Sequence, residues 1–392
     1  MNRDNIINNL LKLPNNNILL EFPTGLGKTR AALELMKSRV SPDSKILIVV
    51  PRLVLINTWR EEIRKWKCRE YNVEFVTYVS FPKKAGVWDM VIFDEVHHLS
   101  QRCRDSLLSY TITYSTMLSA TVSRDMKWVL KALFKNLYIE KIYLREAIDN
   151  NVLPDPKVFL WELELDNKSP EYVMTFNNGK NKSITCLYSE RWKYLKDKSY
   201  TVHVKCTSKE YLTELNRQIE FWKGKYMRTR GVFTKTKWLR LCKDRLTWLA
   251  MQKTQSVSKL LKLLSNKRTI TFCANIEQTY VLGKNCINSK NKMSQEYLAL
   301  FNEKKIKHIT ACDMLNEGIN LSDCKIGIFA VLNGSELMTL QKMGRILRHS
   351  EPVIIVPYYR GTREEDLVKR MVENYNEKLI TKVERMEDIC IK

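Results

Sequence analysis

What this 392-residue sequence lacks removes several classes of protein before any motif is read. No apolar stretch approaches the ~18 residues a bilayer-spanning helix needs, and the opening MNRDNIINNLLKLPNNN lacks the continuous apolar segment of a secretory signal. We therefore expect a protein that is not secreted and has no membrane partner, located in the cytoplasm, or in host cytoplasm or nucleus if viral. None of the ten cysteines belongs to a C-x-x-C pair, so neither a zinc ribbon nor a disulfide framework is indicated, and reduced thiols are expected. Acidic residues are outnumbered: 43 Asp and Glu face 66 Lys and Arg, a net charge of +23. Such a surface favours polyanions over neutral or cationic partners. Between Lys180 and Arg268 the count is 6 acidic against 23 basic residues, so +17 of the excess lies in one segment. There is no internal repeat of 20 to 50 residues and no low-complexity tract, although the asparagine-rich opening comes close.

What is present reads as globular: 44% hydrophobic and 10% aromatic residues, in a chain long enough for two or three domains. Apolar β-rich runs, ILLEF (18–22), KILIVV (45–50), VEFVTYV (73–79), DMVIFDE (89–95) and YSTMLSA (114–120), alternate with helical stretches. The alternation returns at RTITFCAN (268–275), KHITACD (307–313), KIGIFAV (325–331) and PVIIVP (352–357). Strands alternating with helices predict βαβ units on parallel sheets, hence an α/β protein with two such units. The proline-marked VLPDPKVFLWELELD (152–166) puts the boundary near Asn150. We expect one unit over 1–150, a crossing and first strand of the second over 151–188, a basic, mainly helical insertion over 189–264, and the rest of the second unit over 265–392.

Three short stretches carry chemistry. In EFPTGLGKTR (21–30), glycines let successive backbone N–H groups curl around a polyphosphate, and the following helix adds its positive end. Gly25, Leu26 and Gly27 would form the cradle, Lys28 would reach the outer phosphates and the Thr29 hydroxyl a magnesium ion. The Walker pattern is incomplete, because Phe22 stands where its first glycine is expected. In MVIFDEVHH, Asp94 and Glu95 end a buried strand, where ligands collect in open parallel sheets. There Asp94 can hold magnesium and Glu95 can deprotonate an attacking water. In QKMGRILRH (341–349), Gln341, Arg345 and Arg348 are spaced for one helix face, and two guanidinium groups aimed across a cleft would stabilise charge developing on a γ-phosphate. Gly344 between them implies close approach of another backbone.

These elements, in this order, resemble the superfamily 2 helicases and translocases. The resemblance runs through PTGLGKT, VVPRLVLINTW (49–59), DEVHH, LSAT (118–121), ITFCAN (270–275), MLNEGINL (314–321) and QKMGRILR, seven ordered motifs over both α/β units. It implies two tandem RecA-like domains with ATP and Mg2+ in the cleft between them and nucleic acid across the other face. It assigns Gly25, Leu26, Gly27, Lys28, Thr29, Asp94, Gly318 and Asn320 to the nucleotide, with Thr29 and Asp94 on the metal. Glu95, Gln341, Arg345 and Arg348 become catalytic, His97, Ser119 and Thr121 couple the cleft to the nucleic acid, and Arg52, Thr77 and Ser80 contact the phosphate backbone.

Departures shape the expectation further. Asn320 stands where aspartate is common, and no upstream glutamine motif appears, which leaves adenine selectivity open. DEVHH is of DExH type and lacks the DEAD spelling, which points to DNA-directed, type III restriction-like and phage- or virus-encoded members and favours DNA over RNA. An RNA helicase and a nucleic-acid-binding sensor or scaffold without unwinding remain the alternatives. The sequence sets no oligomeric state and is compatible with a monomer. The tryptophans of the basic segment read as core and its cations as a clamp on a phosphate backbone, Lys223, Lys225, Arg228 and Arg230 among them. PD (154–155) with DNK (166–168) mimics a nuclease spelling, but its first element reads as a proline-bounded linker, and His97, His98 and Cys103 lack the fourth ligand of a zinc site.

Overall fold

The chain is described by a computed structural model covering residues 2–177, 182–312, 321, 323–332, 334, 336–373 and 375–391. Strands β1 (Asn17–Glu21), β2 (Ile46–Val50), β3 (Val73–Thr77), β4 (Gly86–Phe93), β5 (Tyr110–Ser119) and β6 (Tyr138–Lys141) form an all-parallel sheet in the order β3-β2-β4-β5-β1-β6. Successive side chains of a strand point to opposite faces, and the burial follows. Ile18, Leu20, Ile46, Ile48 and Ile92 pack with Ala32, Leu35 and Met36 of the helix Lys28–Arg39. From the other face, Leu19, Leu47, Val49, Val91 and Phe93 meet Leu130 and Phe134.

The helix Leu144–Asp149 ends at Asn150, and the chain then crosses to β7 (Lys157–Leu163). Next come β8 (Tyr172–Phe176), β9 (Lys182–Leu187) and β10 (Tyr200–Cys206), then β11 (Thr269–Phe272), β12 (Cys286–Ile287), β13 (His308–Ala311), β14 (Ile326–Phe329), β15 (Val353–Tyr359) and β16 (Ile380–Val383). The second parallel sheet has the order β12-β13-β11-β14-β15-β7-β16. Strand β7 therefore pairs with the last two strands of the chain, Val353 opposite Lys157 and Ile380 opposite Val158. That pairing ties the crossing to the second domain.

The intervening segment differs from its expected outline. Strands β8, β10 and β9 make a small mixed sheet, so the accessory unit starts near Tyr172, not at 189, and it contains a strand in β10 where helix was expected. The lysine content hid the period-two burial of Val202, Val204 and Cys206. Two long helices, Ser208–Thr229 and Val232–Gln252, then form a hairpin, opened by a Thr207/Glu210 capping box. The following helix, Thr254–Leu263, belongs to the second domain, since Val257 and Leu260 pack with Phe159, Trp161 and Ile328.

One buried ion pair fixes where the hairpin rejoins that domain. Lys253 and Glu364 are both fully buried, with Nζ 2.6 Å from Oε1, and the ammonium also donates to the Pro357 carbonyl at 3.1 Å. The backbone N–H of Tyr359 donates to the second carboxylate oxygen. Removing one partner strands the other charge in the core. We expect Lys253→Ala or Glu364→Ala alone to cost about 3–5 kcal/mol in urea unfolding; a change below about 1 kcal/mol would show that the pair anchors nothing.

Candidate nucleotide site and nucleic-acid surface

The glycine turn after β1 is built as its sequence requires. Gly25 (φ +93°) and Gly27 (φ +102°) adopt left-handed conformations that side chains resist, and Gly27 caps the helix beginning at Lys28. Lys28 Nζ donates to the Phe22 carbonyl at 3.0 Å, folding the lysine back over its own loop. Thr29 follows on the first turn of that helix.

Asp94 and Glu95 leave β4 at the same end of the sheet. Asp94 accepts from the Trp59 indole at 2.9 Å, and the Tyr78 hydroxyl donates to its carbonyl at 2.8 Å. Burial, then the neighbouring Glu95 charge, push the Asp94 carboxyl up to about 6, against the pull of Trp59, Lys28 and the Glu95 N–H. Glu95 is held in a left-handed conformation (φ 49°, ψ 61°), a sparsely populated state for a side-chain-bearing residue. Its Oε2 is buried and, among the described residues, makes no hydrogen bond. Two adjacent half-buried carboxylates, one raised above its ordinary value and one with an orphaned oxygen, are a donor set that fits a hard divalent cation or a water it would activate.

Beside them runs a chain of hydrogen bonds. Ser119 Oγ donates to the Thr121 carbonyl at 2.7 Å, so at its 3.1 Å contact with His97 Nδ1 the serine accepts and the imidazole donates. The same His97 nitrogen lies 3.5 Å from Glu95 Oε2. His97 and Ser119 are thus joined to the carboxylate pair, while Thr121 takes part through its backbone carbonyl, not through the hydroxyl.

From the second domain, the helix Glu336–Ile346 reaches the glycine turn. A Cβ added to Gly344 would stand 2.2 Å from Thr24 Cβ, and one added to Gly25 would stand 3.8 Å from the Gly344 carbonyl oxygen. Here the backbones of the two domains are in contact. Arg345 is buried, and Arg348 lies in the turn just beyond the helix, not on its face, because the helix stops at Ile346. Burial pulls the Lys28 ammonium below its ordinary value; Glu95 and Asp94 oppose this, and Arg345 and Arg348 add to it. Five ionisable groups from both domains therefore feel one another around the loop. Arg348 keeps an exposed surface, and desolvation by the protein crowded around it lowers its guanidinium, against the attraction of Glu62.

These groups line one cavity of about 990 Å³, with Thr24 to Arg30, Asp94, Glu95, Arg345 and Arg348 among its walls. Arg52, Thr77 and Ser80 are not among its lining residues: Thr77 is the last residue of β3, Arg52 and Ser80 lie just past the ends of adjacent β2 and β3, and both of these are exposed. Gly318 and Asn320 fall outside the described residues, as does the side chain of Gln341.

The chain matches the family described as type III restriction enzyme, res subunit, over residues 3–85, and the helicase conserved C-terminal domain over 252–350. The chain belongs to the superfamily 2 helicases and translocases. Among relatives of this superfamily member, the DNA 3'-5' translocase XPB2 of Sulfurisphaera tokodaii is 23% identical over 91% of the chain and 80% of its own length. Putative helicase 161L of Invertebrate iridescent virus 6 is 31% identical over 36% of each chain. The fold is shared with S. cerevisiae Dbp5 bound to RNA and ADP BeF3, at 13% identity and a TM-score of 0.62, covering 98% of this chain and 90% of that one. Two tandem RecA-like domains with a basic, mainly helical insertion are thus this helicase's architecture.

Several residues of the site were not legible in advance. The asparagine-rich opening folds as a helix, Arg3–Leu11, capped by Asn2, and Arg3 donates to the Gly25 and Val152 carbonyls at 3.2 Å each. Arg30, whose guanidinium lies 4.4 Å from the Trp66 ring centre, also pairs with Asp4. Trp59 carried a usable signal, since a buried indole requires an acceptor. Thr24 carried none.

In the basic segment, Trp222 and Trp238 pack within the hairpin and Trp248 stacks on Tyr211, as core tryptophans do. Lys225, Arg228 and Arg230 are exposed and Lys223 is half-buried. Lys223 pairs with Glu220 at 3.3 Å, and Lys225 lies over the Trp222 ring.

Because Gly344 meets Thr24 with no room for a methyl, we expect Gly344→Ala to separate the domains enough to lower kcat about 100-fold, with unchanged circular dichroism. Wild-type turnover in that variant would show that the contact is dispensable.

Proposed function

We propose that this enzyme is an ATP-dependent DNA helicase or translocase that hydrolyses nucleotide in the Lys28 cavity. The observation that carries the reading is the convergence of Lys28, Asp94, Glu95, Arg345 and Arg348 about one glycine turn, two of them contributed by the second domain. The DNA preference draws on the likeness to a DNA 3'-5' translocase over 91% of the chain. Placement of ATP follows from the φ > 0 glycines and the helix N-terminus, which together form an anion cradle.

Each group has a task set by its position. Backbone N–H groups of residues 25–29 bind the phosphates, and Lys28, released from the Phe22 carbonyl, draws charge from the outer ones. Thr29 and Asp94 are the residues that would hold Mg2+; when bound, that ion neutralises charge on the β- and γ-oxygens. Glu95 Oε2, with its acceptor capacity unspent, takes the proton of the attacking water. Arg345 and Arg348 stabilise charge on the transferred group from the far wall. Loss of the γ-phosphate removes what the guanidinium groups hold, so the domains part. The strand grip of one then shifts relative to the other. The His97–Ser119–Thr121 chain ties Glu95 to the end of β5, and so carries the state of the cleft toward the nucleic-acid face.

Steady-state hydrolysis measured with single-stranded DNA, duplex DNA and RNA tests the proposal. We expect the largest stimulation by DNA, and a loss of at least about 100-fold in kcat for Lys28→Ala and Glu95→Gln. Full turnover by Glu95→Gln would overturn the base assignment, and stimulation by RNA alone would replace DNA as the substrate. Replacing Lys223, Lys225, Arg228 and Arg230 together by alanine should flatten the salt dependence of duplex binding by up to about 3 to 4 in log–log slope; an unchanged slope would remove the clamp.

A further inference from the structure

The hairpin Ser208–Gln252 ends in a surface that a phosphate clamp does not explain. A helix of 22 residues is about 33 Å long, and among the described residues its apolar packing on the second domain is at its base, where Leu212 and Leu249 meet Tyr359. Farther out, Leu215, Ile219, Leu241, Trp222 and Trp238 form an apolar cluster made entirely of hairpin residues. Beyond that cluster the large apolar side chains turn outward: Phe221 is 57% exposed, Phe233 72% and Val232 83%. Single exposed apolar residues need no explanation. These are contiguous, because Trp222 bridges Phe221 and Phe233 with edge-to-face ring contacts of 5.6 and 5.9 Å. From Phe221 to Arg240 the sequence has seven Lys and Arg and no Asp or Glu.

We propose that this tip is a stacking platform for the unpaired bases of single-stranded nucleic acid, with Phe233 and Phe221 as the ring faces. The inference rests on the nucleic-acid reading above and adds the part of the strand that the tip recognises. A face meant for a lipid surface keeps its cations to the rim of an apolar patch. Here cations interleave with rings: the Lys225 ammonium lies 5.1 Å from the Trp222 ring centre and the Arg230 guanidinium 5.7 Å from that of Tyr226. Alternating cations and rings match the alternating phosphates and bases of a single strand. A duplex hides its base faces and could engage only the cations. The tip thus distinguishes opened strands from paired ones, whereas a basic stripe alone would not.

The test is a titration of the full chain with a single-stranded oligodeoxynucleotide containing 2-aminopurine, and separately with a blunt duplex. We expect wild type to quench the fluorescent base, and Phe221→Ala/Phe233→Ala to lose the quenching and about tenfold or more in single-strand affinity. Duplex affinity should change less than twofold, and Phe233→Trp should retain the quenching. An unchanged thermal midpoint of the double variant shows that the hairpin is intact, since both rings are exposed. Single-strand binding and quenching by the double variant equal to wild type would overturn the platform while leaving the motor reading in place. A wild type that binds neither DNA nor RNA would overturn both. Phe233-dependent binding to phosphatidylserine vesicles, with Phe233-independent DNA affinity, would assign the tip to a membrane and overturn the proposal.

Discussion

The contact between Thr24 and Gly344 is the constraint on which the rest of the site depends. A glycine in the interior of a helix costs about 0.5–1 kcal/mol relative to alanine, and here the absent methyl lets the backbone of one domain lie against the phosphate turn of the other. Because that approach is so close, the next residue, Arg345, is delivered into the cavity already buried. The charges of both domains then act on each other across a few residues of chain on either side. Without the contact, Lys28 and the two guanidinium groups would be separate basic side chains on separate domains.

The electrostatics of the cavity follow from burial. Asp94 and Glu95 are adjacent, desolvated and mutually repelling, which raises the Asp94 carboxyl toward neutrality. Lys28 is pulled in the opposite direction by the same desolvation. The carboxylates and the lysine come from the first domain, and Arg345 and Arg348 add the charges of the second to the same cavity. The coupling chain begins in the same cluster, since the histidine that touches Glu95 also donates to the serine at the end of β5. Far from this cleft, a second buried pair, Lys253 with Glu364, fixes the accessory hairpin to the second domain and so determines where its tip projects.

How much of this was readable beforehand differs by residue. Lys28, Asp94, Glu95 and Arg345 were legible because each lies in a short motif at the end of a strand or within a helix, where local sequence fixes local geometry. Strands β1 to β5 were legible as apolar runs between breakers, and Gly344 as a glycine where a helix would otherwise avoid one. The β8-β10-β9 sheet was not, because its short, half-exposed strands sit in a lysine-rich stretch and bury few side chains. Thr24 and Arg3 were out of reach: their roles arise from contacts with residues about 320 and 150 positions away, and nothing in their own neighbourhood encodes that. Arg348 was placed on a helix that ends two residues earlier, an error of the size expected at helix ends.

The central claim is that a first-domain lysine and a second-domain arginine act on one triphosphate. Trapping with ADP and aluminium fluoride, a mimic of the phosphoryl group in transit, tests it most directly, because only a complete site holds the mimic tightly. In the presence of stimulating nucleic acid, wild type should retain trapped ADP, whereas Arg345→Ala should bind ADP itself with near wild-type affinity and fail to trap it, as Lys28→Ala should. An Arg345→Ala protein that traps ADP and aluminium fluoride as well as wild type would contradict the account.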